Sequence, residues 1–163
     1  MFHGGAESFA EADLGLAHVG VHTQLSAHAI DGHFQVEFTH ATHLNPDWNA
    51  GSVHGPGFTG GTGLGTTYLF PNGETASQFH TYGMIWSPGS VSYYIDDPVA
   101  GVYATYTPSS LNSLSGAVWP FDAGQSNFIL LNLAIGGDYP GPPDSSTVFP
   151  SEMLVDYVRI YTN

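Results

Sequence analysis

The stretch "DGHFQVEFTH", residues 31–40, carries a histidine, an amide and a carboxylate at every second position: His33, Gln35 and Glu37, with Phe34, Val36 and Phe38 among them. On a strand, alternate side chains share a face, so this spacing sets the three polar groups in one row opposite an apolar row. Such a row is either the working edge of an active site or the wet side of a sandwich. Nine histidines raise a second chemistry, metal chelation, at His18 with His22 or His40 with His43. Histidines four apart on a strand stand about 13 Å apart at their Cα atoms, too far for one ion without a sharp bend. His40 and His43 meet only across a loop, and scattered surface histidines are the plainer expectation.

The elements that must position such a row are strands. Aromatics make up 13% of the 163 residues, there are 21 Gly and 11 Pro, and 9% of residues are charged. That balance favours short strands joined by turns over long exposed helices, and the length suits one domain with one core. Strand-like runs recur between turn signals at "LAHVGVHT", "HFQVEFTH", "NAGSVHG", "GTTYLF", "HTYGMIWS", "SVSYYIDD", "GVYATYT", "FILLNLAI" and "MLVDYVRIYT". "WSPGSVSYYIDD" and "SYYIDDPVAGVYATY" read as hairpins, each with apolar alternation on both sides of a Pro-Gly or Asp-Pro turn. "FILLNLAIGG" suits a central strand buried on both sides, and "TPSSLNSLSG", residues 107–116, a helical turn capped by Ser or Thr with Pro near its start. The expected fold is all-β: a sandwich of two antiparallel sheets whose free face is concave.

Fourteen acids against one base, Arg159, give a formal charge of −13, which repels phosphate backbones and anionic lipid surfaces. Nucleic acid and membrane are therefore not expected partners, while a neutral ligand is left open. The absence of cysteine excludes disulfides and thiol chemistry. "MFHGGAESFAEADLG" has no basic region followed by an apolar run and is not expected to be a signal peptide. "FILLNLAIGG", the longest apolar stretch, is too short to span a bilayer.

Four separated blocks carry a resemblance: "GSVHGPGFTGG" at 51–61, "FHTYGMIWSPGSVSYYIDD" at 79–97, "WPFD" at 119–122 and "NFILLNLAIGGDYPGPPDSSTVFPSEMLVDYVRIY" at 127–161. In order and spacing they resemble the second half of family 16 glycoside hydrolases, the laminarinase-like endo-β-1,3-glucanases with a jelly-roll fold. The resemblance implies an open groove across a concave sheet that binds a neutral β-glucan through stacked aromatics and hydrogen bonds. It further implies an extracellular, monomeric enzyme that hydrolyses β-1,3 or mixed β-1,3/1,4 glucan with retention. In the family a strand bearing E-x-D-x-x-E or E-x-D-x-E supplies a nucleophilic Glu, an Asp and an acid/base Glu. Retention needs two carboxyls close together, one attacking the anomeric carbon and one protonating the leaving oxygen.

That motif is not found in this sequence. In one placement "HFQVE" sits on the catalytic strand, so that His33 stands at the nucleophile, Gln35 at the Asp and Glu37 at the acid/base position. In the other, "LAHVGVHTQLSAHAIDGHFQVEFTHATH" is similar to an earlier groove segment of the type "SARIRTQGKFxxxYGRFEARIKLP", with agreement at Gly32, Phe34 and the "HTQ" run. The second placement leaves the tryptophan-rich and catalytic strands missing between about Thr42 and Asn45, and the first strands of the family's domain absent. Residues 1–163 are then a single family-16-like domain short of those strands. Either way the carboxylate pair is incomplete, and Glu37, which holds the acid/base position in the first placement, is the best single catalytic candidate.

The resemblance points to further positions, each with a purely structural alternative. His54, in "HGPG", faces the groove or bonds locally beside a turn. Trp119 and Tyr139 stack on sugar rings or belong to the core, Trp119 being the stronger groove candidate. Asn132 reaches the sugar or staples the central strand as a buried amide, which needs hydrogen-bond partners. His33 and Gln35 complete the substrate-binding set. Trp86 is expected in the core, and Trp48 in a loop, exposed or lidding the groove. No cofactor is required, but Asp156 is the position at which the family holds a calcium ion, against the alternative of an edge-strand Asp paired with Arg159. The competing functions are a non-catalytic β-glucan-binding module and a truncated inactive homologue.

Overall fold

Two hairpins show how directly local sequence sets the fold. Ser87 pairs with Ser90 across Pro88-Gly89, and Gly89 sits at φ 76°, the positive φ that a Pro-Gly turn demands at its second central residue. In the next turn Asp97 Oδ1 accepts the amides of Val99 at 2.7 Å and Ala100 at 2.8 Å. These two amides hold the Asp97 carboxyl below its ordinary range.

The computed structural model describes residues 2–3, 8–16, 22–29, 35–40, 47–122, 126–134, 136, 142–143, 145, 147, 149–150 and 152–162. Side chains are described from residue 47 onward, except at 126–128, 134 and 162. The strands are β1 (Phe2–His3), β2 (Ser8–Leu16), β3 (His22–Ala29), β4 (Gln35–His40), β5 (Trp48–His54), β6 (Leu64–Leu69), β7 (His80–Ser87), β8 (Ser90–Ile95), β9 (Val102–Tyr106), β10 (Ser126–Ala134) and β11 (Met153–Thr162). They form a six-stranded sheet ordered β1-β10-β3-β4-β5-β6 and a five-stranded sheet ordered β11-β2-β7-β8-β9, and every pairing is antiparallel. This is the all-β, two-sheet sandwich expected from the sequence. Among the described residues the only helical pieces are short 3₁₀ turns. One of them, Pro108–Leu111, falls in the expected 107–116 segment, with Pro at its start and a capping box between Thr107 and Ser110.

The core lies between the sheets. Val53 from β5 meets Tyr82, Met84 and Trp86 from β7, Val91 and Tyr93 from β8, and Phe58 and Phe121 from connecting segments. Trp86 is core, as expected, and donates Nε1–H to the Phe121 carbonyl at 2.7 Å. Three tyrosines of the five-stranded sheet reach through the core to β5 and its neighbour. Tyr93 donates to Ser52 O and Tyr103 to Asn49 Oδ1, and the Tyr106 hydroxyl lies within hydrogen-bond distance of both Gly51 O and the Thr66 hydroxyl. Burial pushes the Tyr103 and Tyr106 hydroxyls above their ordinary range.

Two expectations are corrected here. β10 is not central but second from the edge of its sheet, beside the two-residue β1, and is covered on one face only: Ile129 and Leu131 pack on the core, whereas Leu130 and Asn132 are exposed on the other face. A continuous apolar run did not distinguish one buried face from two. Trp48 is the first residue of β5, pairing with Leu69, and not a loop residue. The expected strand "LAHVGVHT" falls between the end of β2 at Leu16 and the start of β3 at His22, so its middle, residues 17–21, lies outside the described residues.

Candidate active site

The side of the sandwich away from the core is fixed by β5. Asn49, Gly51 and Val53 are buried inward, so Trp48, Ala50, Ser52 and His54 occupy the outer face, all half-buried. Antiparallel register carries that face across the sheet. Glu37 on β4 stands opposite Ser52, which stands opposite Gly65 on β6; on the other side Glu37 stands opposite Ser26 on β3, and Ser26 opposite Leu130 on β10. The next row reads His28, Gln35 and His54, and the row beyond Glu37 on the other side reads Asn132, Gln24, Thr39, Ala50 and Thr67. Gln35, Glu37, His54 and Asn132 therefore share one sheet face. Among the described strand positions of that face, Glu37 is the one carboxylate.

His54 is held by close packing. A Cβ at Gly63 would lie 2.2 Å from both Nδ1 and Cε1 of the ring, so glycine at 63 makes room for the imidazole, and Nδ1 is enclosed. The segment carrying Trp119 is fastened to the turn after His54: the Val118 amide donates to the Pro56 carbonyl at 3.0 Å, and Pro120 packs on Gly55. Trp119 stands edge-on to Phe121 with ring centroids 4.9 Å apart. Its Nε1 is buried without a hydrogen-bond partner among the described residues. The indole thus combines a packed edge with an unused donor at the His54 end of β5.

Of the remaining expected residues, Asn132 is exposed on the outer face, which removes the buried staple from its two alternatives. His33 and Tyr139 lie outside the described residues, and for Gln35 and Glu37 the backbone register is what places them. The paired histidines fall likewise: His18 and His43 lie outside the described residues. Asp156 is exposed at a bulge between Val155 and Tyr157 on β11, an edge strand of the other sheet, and Arg159 lies 4.0 Å over the Tyr157 ring. No group of three or more His, Asp or Glu side chains occurs among the described residues. Calcium takes roughly six to eight oxygens, backbone carbonyls among them, and Asp156 turns its carboxylate to solvent at this bulge. Ser52, missed in the sequence, is reached by the same period-two reasoning: in "AGSVHG" it shares the parity of His54.

The family model described as glycosyl hydrolases family 16 matches residues 36–128, more than half of the chain. A glucan endo-1,3-beta-glucosidase A1 of Niallia circulans is 33% identical over 106 residues, 60% of this chain and 14% of that relative. A beta-glucanase of Rhodothermus marinus is 31% identical over 123 residues, 72% of this chain and 41% of the relative. Among solved structures, the endo-beta-1,3-glucanase of Pyrococcus furiosus superposes with a TM-score of 0.84 at 31% identity, covering 95% of this chain and 60% of the other. The laminarinase catalytic domain of Thermotoga maritima also reaches 0.84, at 27% identity, covering 99% of this chain and 66% of the other. The chain therefore spans less than half the length of these two sequence relatives and under two thirds of the Pyrococcus chain.

Proposed function

The chain belongs to family 16 of the glycosyl hydrolases, and on that premise we propose that it cleaves a neutral β-glucan, β-1,3 or mixed β-1,3/1,4, laid across the outer face of the six-stranded sheet. Glu37 is the acid that protonates the leaving glycosidic oxygen. The observation that carries this is positional: β4 is followed directly by β5, pairs with it, and sets Glu37 opposite Ser52 and beside His54. That arrangement favours the placement of "HFQVE" on the catalytic strand over the placement on a neighbouring groove strand. His54, Gln35, Asn132 and Trp119 supply hydrogen bonds and a stacking surface to the sugar. A net charge of −13 is compatible with a neutral polymer.

A second reading, a β-glucan-binding module without turnover, is favoured by one feature. Family-type retention needs a second carboxylate about 5–5.5 Å from the first, and Glu37 is the one carboxylate among the described strand positions of the face. Laminarin incubated with purified protein separates the two. Release of short oligosaccharides, lost in Glu37→Gln, is the expected result. Heat of binding by calorimetry without new reducing ends would establish the module instead.

A further inference from the structure

β11 is an edge of the five-stranded sheet: β2 pairs with it on one side, and no described strand lies on the other. Its core-facing side is open there. Through β2, Val155, Val158 and Ile160 stand in the rows of Leu14, Ala12 and Ala10, and so of His80, Tyr82 and Met84 on β7. Those three β7 residues are buried, whereas Val155, Val158 and Ile160 are 38%, 40% and 43% exposed. On the other face Leu154 is 44% and Tyr161 47% exposed. The opposite end of the sandwich is closed, since the Tyr106 hydroxyl of β9 lies 2.8 Å from the Thr66 hydroxyl of β6. An edge strand of ten residues with apolar side chains exposed on both faces is a template for another strand.

We propose that two copies of this chain join through β11, antiparallel across a two-fold axis at Val158, into one continuous sheet. Such pairing requires the strand to complement itself, and β11 does. Outward from Val158 opposite Val158, Tyr157 stands opposite Arg159 of the other copy; past the bulge at Asp156, Val155 stands opposite Ile160, and Leu154 opposite Tyr161. Because both strands carry the same bulge, each of these pairs keeps its two members on one face, as antiparallel register demands. Arg159 is the one base of the chain, and within a copy it lies 4.0 Å over the Tyr157 ring. The two-fold sets it opposite the same ring of the other copy, with Asp156 of that copy beside it. Bulges and charges often guard an edge against pairing; across this axis the charges meet as opposites.

A formal charge of −13 on each copy opposes the contact, and a single strand from each falls short of the standard interface of about 1,600 Å². The dimer is therefore weak, and salt strengthens it by screening the repulsion. It departs from the monomer that the resemblance implies, and it leaves the outer face of the six-stranded sheet uncovered, since β11 belongs to the other sheet.

The test is sedimentation of the intact chain over a range of concentrations, joined to cross-linking through introduced cysteines, since the chain has none of its own. The mass is expected to rise from one copy to two, and to do so at lower concentration in high salt. On the axis the two Val158 Cα atoms stand about 4.5–5.5 Å apart, within disulfide reach, so Val158→Cys is expected to give a covalent dimer on mild oxidation. Tyr161→Cys sets its two thiols about 20 Å apart and is expected to give none. Arg159→Asp is expected to abolish the dimer, and Asp156→Arg combined with Arg159→Asp to restore it. Should Val158→Cys fail to fold, the mass of the unsubstituted chain and the charge variants still decide. A single-copy mass at every concentration and salt overturns the dimer, and masses beyond two copies overturn the closed pair. Cross-linking of Tyr161→Cys as fast as Val158→Cys overturns the register.

Discussion

The Tyr93 hydroxyl donates to the Ser52 carbonyl at 2.5 Å, joining the five-stranded sheet to the strand that carries the outer-face residues His54 and Trp48. The approach is possible because residue 51 has no side chain: a Cβ on Gly51 would lie 2.6 Å from Tyr93 Cγ and 2.6 Å from the Tyr103 hydroxyl. Both rings are tied down by their own hydrogen bonds, so neither yields cheaply. The site face is thereby aligned from behind, through the core.

Gly51→Ala is accordingly expected to be more damaging than Tyr93→Phe. Overpacking at a fixed site costs about 1–3 kcal/mol or more, and loss of one hydroxyl bond costs about 1 kcal/mol. Urea unfolding of both variants checks the order. Equal stabilities would mean that the Tyr93 and Tyr103 rings move aside.

The same tyrosines predict an alkaline limit. Tyr103 and Tyr106 are raised from the ordinary value of 10.0 chiefly by burial. Above that value the unfolded chain loses hydroxyl protons that the folded chain keeps, so the unfolded state binds fewer protons and stability falls as pH rises. Below it both states are protonated and the effect vanishes. Urea midpoints measured from neutral pH to above 10 are expected to stay level and then drop, with a shallower drop in Tyr103→Phe.

At the end of β8, Asp96 has φ 62°, accepts from Thr81 N at 2.8 Å, and meets His80 Nδ1 at 2.9 Å. The left-handed backbone costs most residues about 1–2 kcal/mol, but not glycine. Asp96→Ala loses both contacts and takes on that strain, whereas Asp96→Gly loses the contacts alone. Asp96→Asn keeps an acceptor and tolerates the backbone. Thermal melts are expected to rank the chain above Asn, Asn above Gly, and Gly above Ala. Asp96 is half exposed, so the contacts themselves contribute modestly.

Much of this architecture was legible because local signals agreed. β7 and β11 coincide end to end with "HTYGMIWS" and "MLVDYVRIYT", and the Pro-Gly and Asp-Pro turns lie where their chemistry demands. β2 was not seen, because its inward register positions include Ala10 and Ala12, small residues with weak strand preference. The polar parity of Gln35 and Glu37 was readable, whereas their neighbours were not. Glu37 stands opposite Ser52 and Ser26 through pairing between strands, and no period within one strand encodes that. Trp48 looked like a loop residue beside Pro46 and Asp47, and pairing with Leu69 draws it into β5.

Trp119 gives a prediction that separates binding from stability. Its indole edge packs on Phe121, but its Nε1 is buried with no hydrogen-bond partner among the described residues, next to the turn that follows His54. A buried donor left unpaired costs free energy, so the Nε1–H adds nothing to stability, and the partly exposed remainder of the indole is what a sugar ring would stack on. Trp119→Phe keeps an aromatic ring and gives up no protein hydrogen bond, so its unfolding midpoint is expected to stay close to that of the unsubstituted chain. Glucan binding should weaken about 5–30-fold, the equivalent of about 1–2 kcal/mol, as read by laminarin calorimetry. Unchanged affinity with lowered stability would assign the indole to packing alone and remove it from the groove.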